Sequence, residues 1–196
     1  MDNELLIKEI EYYQFYLGKA LSQIYINDKI CDFYENNNKQ FSLYANSLSE
    51  ISSALLLSQR MLFCDIFLPD RDSKNIHKLL NKLQSNKIAT QEEIDLKIKN
   101  IAESLANEVA LQSTNLDNLQ KYRHNVFAHF NTRFFDDDWR KDFPHENRCD
   151  FIEIKNLAIK VFDGCSQILQ LLKRVPLSRE IMMPFDINTL IKNLSQ

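Results

Sequence analysis

Glycine and proline are nearly missing from this 196-residue chain: there are two Gly (Gly18, Gly164) and four Pro (Pro69, Pro144, Pro176, Pro184). Sandwiches and barrels need many tight turns, and tight turns draw on those residues, so an all-β fold is excluded. The four cysteines (Cys31, Cys64, Cys149, Cys165) show no CxxC spacing. Three of them sit in apolar helical contexts, where a free Cys behaves as a small hydrophobe, and a disulfide framework is not expected. Uninterrupted apolar runs stop after a few residues, as in Ala54-Leu55-Leu56-Leu57, far short of a membrane span. The opening MDNELLIKEIEYY has no basic start followed by an apolar stretch, so no signal peptide is visible and a cytoplasmic location is expected. A basic excess is lacking too: net charge is −3, which disfavours broad gripping of duplex phosphates and confines any nucleic-acid contact to a local patch.

Present in abundance are apolar stripes at helical spacing. Leu6, Ile10, Tyr13, Leu17, Ala20 and Ile24 alternate steps of four and three, marking an amphipathic helix from Asp2 or Asn3 to about Asn36. Phe41, Tyr44, Leu48, Ile51, Leu55, Ser58 and Leu62 form a second stripe, closed by Pro69. A loop at 69–73 and a short helix from Ile76 to Leu83 follow. Thr90 with Glu93 reads as a capping box opening a helix whose core face is Ile94, Ile98, Ile101, Leu105 and Val109. The chain restarts at Thr114 or Asn115, with Leu116, Leu119, Val126 and Phe130 on one face. Residues 131–150 are polar and loop-like. Ile154, Leu157, Val161, Cys165, Ile168 and Leu172 mark a last long helix ending before Pro176, and Asp186 caps a short C-terminal helix. These elements predict one domain over 1–196, an all-α antiparallel helical bundle with a short extra C-terminal helix. Tyr12, Phe15 and Tyr16 lie beside the first stripe, more apolar surface than one bundle face requires.

Chemistry concentrates in one stretch. Three of the four histidines (His124, His129, His145) and half of the eight arginines (Arg123, Arg133, Arg140, Arg148) fall between 121 and 148. Histidine exchanges a proton near neutral pH, and arginine offers a fixed fork of donors to phosphate. Together they suffice for metal-independent RNA cleavage: one group takes the 2′-hydroxyl proton as it attacks phosphorus, and others hold charge on the phosphoryl oxygens. The spacing of Arg to His by four or five residues occurs three times, at Arg71–His77, Arg123–His129 and Arg140–His145. The first crosses a loop and a helix start, and the third contains Pro144. Only Arg123–His129 lies in a periodic apolar run, with the small Ala128 beside the histidine.

That run, Lys121-Tyr122-Arg123-His124-Asn125-Val126-Phe127-Ala128-His129-Phe130, resembles the signature of HEPN domains, most closely the abortive-infection AbiU2-like subgroup. The stretch from Ser52 to Leu83 also suits that subgroup. The resemblance implies a helical bundle that dimerises, a metal-independent endoribonuclease with no cofactor, and the toxin of a toxin–antitoxin or phage-defence system, with an antitoxin protein as a possible partner. It implies Arg123 and His129 as the catalytic pair and RNA as substrate, with His124 assisting substrate binding. Some HEPN toxins carry a tyrosine two residues past the histidine that a partner nucleotidyltransferase modifies; Asn131 stands there in this chain, against that route of regulation. On an unbroken helix, positions six apart lie about 120° around the axis and about 9 Å along it. Arg123 and His129 therefore do not converge by helical spacing, and a two-fold dimer facing two motifs together is the economical solution.

Other readings stand beside this one. Arg123 and His129 could be a structural ion-pair partner and a hydrogen-bonded core histidine in a non-catalytic module that binds protein or nucleic acid. Asp136-Asp137-Asp138 could bind a divalent ion, although a solvated acidic loop is the simpler account. Zinc at His145 and Cys149 is rejected, since no second ligand pair stands at suitable spacing.

Overall fold

A computed structural model describes residues 3–36, 41–69, 75–124 and 149–178. They form six helices: α1 (Asn3–Asn36), α2 (Phe41–Phe67), α3 (Ile76–Ser85), α4 (Glu92–Leu111), α5 (Ser113–Tyr122) and α6 (Phe151–Leu171). No strand occurs among the described residues, so the chain is an all-α helical bundle as its stripes predict.

The cross-links give the directions. Gln23 Nε2 donates to Ser58 Oγ (2.9 Å) while Ser52 Oγ donates to Asn27 Oδ1, so α1 and α2 run antiparallel. Gln14 Nε2 donates to Ser166 Oγ (2.7 Å) and Lys155 pairs with Asp28 (3.2 Å), so α6 is antiparallel to α1 as well. On its other side α6 meets α4, where Lys160 pairs with Glu108 (2.7 Å). A Cβ built on Gly164 would lie 2.6 Å from Leu105 Cδ1, so glycine permits the close approach of α4 and α6 there. The short α3 packs on α4, and its Lys82 reaches Glu9 of α1, a buried carboxylate, at 2.7 Å.

The predicted core positions of α1 are all buried, and those of α6 as far as Ile168 are buried too. One large cluster draws residues from every helix, and a smaller one (Ile26, Ile30, Phe33, Leu48) joins the far end of α1 to the start of α2. The short helix at Ile76 forms with four buried apolar residues, and Asn75 caps it by accepting from the Lys78 amide (3.0 Å). The α6 helix ends before Pro176, as expected.

Three expectations need correction. The Thr90–Glu93 capping box does not form: α4 begins at Glu92, and Glu93 instead pairs with Lys97 (2.7 Å). The buried acid of that turn is Asp95, whose carboxylate accepts from the Ile88 (2.6 Å) and Ala89 (3.1 Å) amides and pairs with Lys99 (2.8 Å). On α2 the stripe is misregistered. Leu48 is buried, but Ile51 is 48% exposed and Leu62 only partly covered, while Gln59, Phe63, Cys64, Ile66 and Phe67 face the core. This helix is apolar on more than one side, so several three-four stripes fit its sequence and only packing selects one. Finally, α5 starts directly at Ser113 with one intervening residue, Gln112, and Arg123 and His124 after Tyr122 wind as a π-type turn, while the expected continuation through Val126 and Phe130 lies outside the described residues. The side chains of Phe41 and Tyr44, the 131–148 stretch and the C-terminal helix at Asp186 lie outside the described residues.

Asp95 carries a pH prediction. Burial alone would raise its carboxyl pKa, but Lys99 and the two backbone amides outweigh burial and hold it below its ordinary 3.8. A depressed folded pKa stabilises at pH above the unfolded value, and that stability disappears as pH falls through the folded one. Asp95→Asn should therefore cost about 1–3 kcal/mol near pH 7. Urea midpoints of wild type and variant should converge below about pH 3.

Candidate functional site at the α2–α5–α6 junction

Tyr122 is the last residue of α5 and Phe151 the first of α6, so the segment bearing the Arg–His signature leaves and re-enters the described bundle at one place. A reciprocal pair of hydrogen bonds makes that place. Asn115 Nδ2 donates to the Asp150 carbonyl (2.9 Å), and the Asp150 amide donates to Asn115 Oδ1 (2.7 Å). The Asp150 carboxylate then caps α6, accepting from the amides of Ile152 (2.9 Å) and Glu153 (3.2 Å). One polar junction thus fixes both the start of α6 and its seat on α5.

Beyond Tyr122 the backbone changes winding. Arg123 keeps right-handed helical dihedrals (φ −54°, ψ −49°), but Arg123 and His124 belong to a wider π-type turn. Such single turns interrupt α-helices rarely, and frequently at functional sites. The signature therefore does not begin on an unbroken α-helix. Arg123 is half-buried and His124 exposed. His129, with Arg133, Asp136 to Asp138, Arg140 and His145, lies outside the described residues, so the convergence of Arg123 with His129 is not a feature of the described structure.

Sequence reasoning missed what stands beside Arg123. From α2, Arg60 projects into the junction and donates from Nη1 to the Tyr122 hydroxyl. Its guanidinium carbon lies 4.4 Å from the Phe151 ring centroid and 5.2 Å from that of Tyr122. The two rings meet edge to face, centroids 5.4 Å apart. Three elements far apart in sequence so build one cationic, aromatic corner. A signal for it existed: Arg60 is the only charged residue between Glu50 and Asp65.

One turn further along α2, Cys64 is close enough to sense Arg123. Burial pushes its thiol up to about 12, and the nearby guanidinium works the other way without cancelling it. Burial likewise pushes Cys149 up to about 12, with Cys64 and Asp150 adding to the rise and Arg60 opposing it. Burial thus favours the protonated form of both thiols, the form that is the poorer nucleophile. Among the described residues no group of three His, Cys, Asp or Glu is placed to hold a metal ion. His77, of the spacing match on α3, has its Nε2 3.2 Å from the Phe67 carbonyl, a structural contact remote in sequence from the junction. No described helix is long and apolar enough to cross a membrane.

What the corner offers chemically is anion binding and ring stacking. Guanidinium forks suit phosphate oxygens, aromatic rings suit bases, and an exposed imidazole stands next in the chain to Arg123. Comparison of the chain with protein-family models, with curated proteins and with solved structures finds no match.

Proposed function

We propose that this chain is a metal-independent RNA endonuclease of the HEPN type, acting as the toxin of a toxin–antitoxin or phage-defence system. Two things support the reading. One is the signature from Arg123 to His129. The other, which carries it furthest, is the junction at which that signature starts, where Arg60, Tyr122 and Phe151 gather beside Arg123. In this reading Arg123 holds the scissile phosphate and stabilises charge on its oxygens in the transition state. His129 transfers the proton between the 2′-hydroxyl and the leaving oxygen, and His124 helps seat the strand. The working form is a cytoplasmic homodimer with the two motifs near its two-fold axis, and its inhibitor is an antitoxin protein. The exposed rings of Tyr12 and Phe15 (43% and 47%) on α1 are one apolar surface that self-association would cover.

The decisive experiment is cleavage of a mixed-sequence single-stranded RNA by the purified protein. Products ending in 2′,3′-cyclic phosphate, formed equally with and without EDTA, are expected. Loss of activity in EDTA would overturn the metal-independent mechanism and favour the Asp136–Asp138 tract. A folded protein that cuts no RNA would favour the binding-module reading.

A further inference from the structure

A half-buried guanidinium is costly to hold unless its charge is answered. Arg60 has no carboxylate partner among the described residues; its contacts are the Tyr122 hydroxyl, the two ring faces and the weak influence it exerts on Cys149. Several other cations in the bundle do have carboxylate partners: Lys82 with Glu9, Lys99 with Asp95, Lys155 with Asp28, Lys160 with Glu108 and Arg174 with Glu4. Stacking on two aromatics steadies the guanidinium plane without neutralising it. An arginine carries five N–H donors in a rigid fork, and the phenol oxygen engages one nitrogen only. Packing on Phe151 and bonding to Tyr122 fix the fork in place, so little rotamer freedom is left to lose when an anion arrives.

We propose that Arg60 is a second phosphate-binding residue, which uses the donors left free by Tyr122 to hold a phosphate of a single-stranded RNA next to the one assigned to Arg123. The inference rests on the RNA reading above for its ligand, and on the Arg60–Tyr122–Phe151 stack for its geometry. Tyr122 is the positioning residue: its hydroxyl sets the rotation of the guanidinium, and it also ends the helix that delivers Arg123. Two phosphate subsites on neighbouring elements would set the register of the strand, so that one phosphodiester is presented to the signature.

Binding, measured apart from cleavage, tests this. The probe is a fluorescent single-stranded RNA with 2′-O-methyl groups throughout, which has no nucleophile and cannot be cut, titrated with the full chain over a range of salt. Removing a cation that neutralises one phosphate lowers the slope of log affinity against log salt by about 0.7 for single strands. Arg60→Met is expected to lower the slope by about that amount and to weaken binding about tenfold or more at fixed salt. Arg60→Lys restores the charge and should return the slope to wild type, while regaining only part of the affinity. Tyr122→Phe should weaken binding with the slope unchanged. Binding by Arg60→Met with the wild-type slope would overturn the proposal and leave the nuclease reading standing. A wild-type protein that binds this RNA but does not cut its unmodified counterpart would overturn the nuclease reading and leave the Arg60 site standing. Absence of wild-type binding overturns the Arg60 site whatever the cleavage assay returns. Should Arg60→Met not fold, Arg60→Gln is read the same way, and failure of both to fold makes Arg60 a structural prop and ends the proposal.

Discussion

Replacing His129 by alanine should lower RNA cleavage by a factor of about 10² to 10⁴ with the bundle still folded, the cost of losing one positioned proton-transfer group. Arg123→Ala should fall in a similar range, because a preorganised cation on the phosphoryl oxygens is worth a comparable factor. Arg123→Lys is the sharper variant. A point-charge ammonium keeps the net charge but cannot reproduce a bidentate fork, so substantial loss is expected there too. His145→Ala is the control, since its arginine spacing is broken by Pro144, and it should stay near wild type. Initial rates on a labelled single-stranded RNA measure the effect, with melting curves alongside. Those curves matter for Arg123 in particular: it is half-buried near Cys64, so truncation there can also loosen the junction. Both alanine variants matching wild type would sink the proposed catalytic pair.

The largest effect on stability should come from Phe63. Its side chain is fully buried on α2 and its ring centroid is 6.1 Å from that of Phe67, also fully buried. Phe63→Ala removes most of an aromatic side chain from the main core and leaves a cavity, at a cost of about 3–5 kcal/mol. For a chain of this size that lowers the melting temperature by roughly 6–20 °C. Ile51→Ala is its counterpart, because Ile51 sits on the stripe the sequence favours yet is 48% exposed. Its loss should cost under about 1 kcal/mol. Equal costs for the two variants would mean that α2 is turned differently about its axis.

That contrast shows where sequence and structure part. In α1, and in α6 as far as Ile168, every position picked by the three-four spacing is buried, although Tyr12, Phe15 and Tyr16 stand beside the α1 stripe. In α2 the run Ala54-Leu55-Leu56-Leu57 is apolar all round, and choosing a face requires knowing where α1 lies. The Thr90–Glu93 pattern is a local rule that yields to a tertiary one. Asp95 collects the Ile88 and Ala89 amides, and α4 starts where that arrangement allows. At the site, the beginning of the signature is legible because it is contiguous in sequence. Arg60 and Phe151 are not, since they approach Tyr122 through space from 62 residues upstream and from the start of α6.

The reciprocal Asn115–Asp150 bonds have a topological consequence. They clasp two points 35 residues apart in the chain, one on α5 and one at the entry to α6. The closed stretch contains the buried Leu116 and Leu119 and the whole run from Arg123 to His129, so the docking of α5 against the start of α6 and the anchorage of the signature depend on the same two bonds. Loosening the clasp at Asn115 would therefore disturb the signature from a residue that is not part of it.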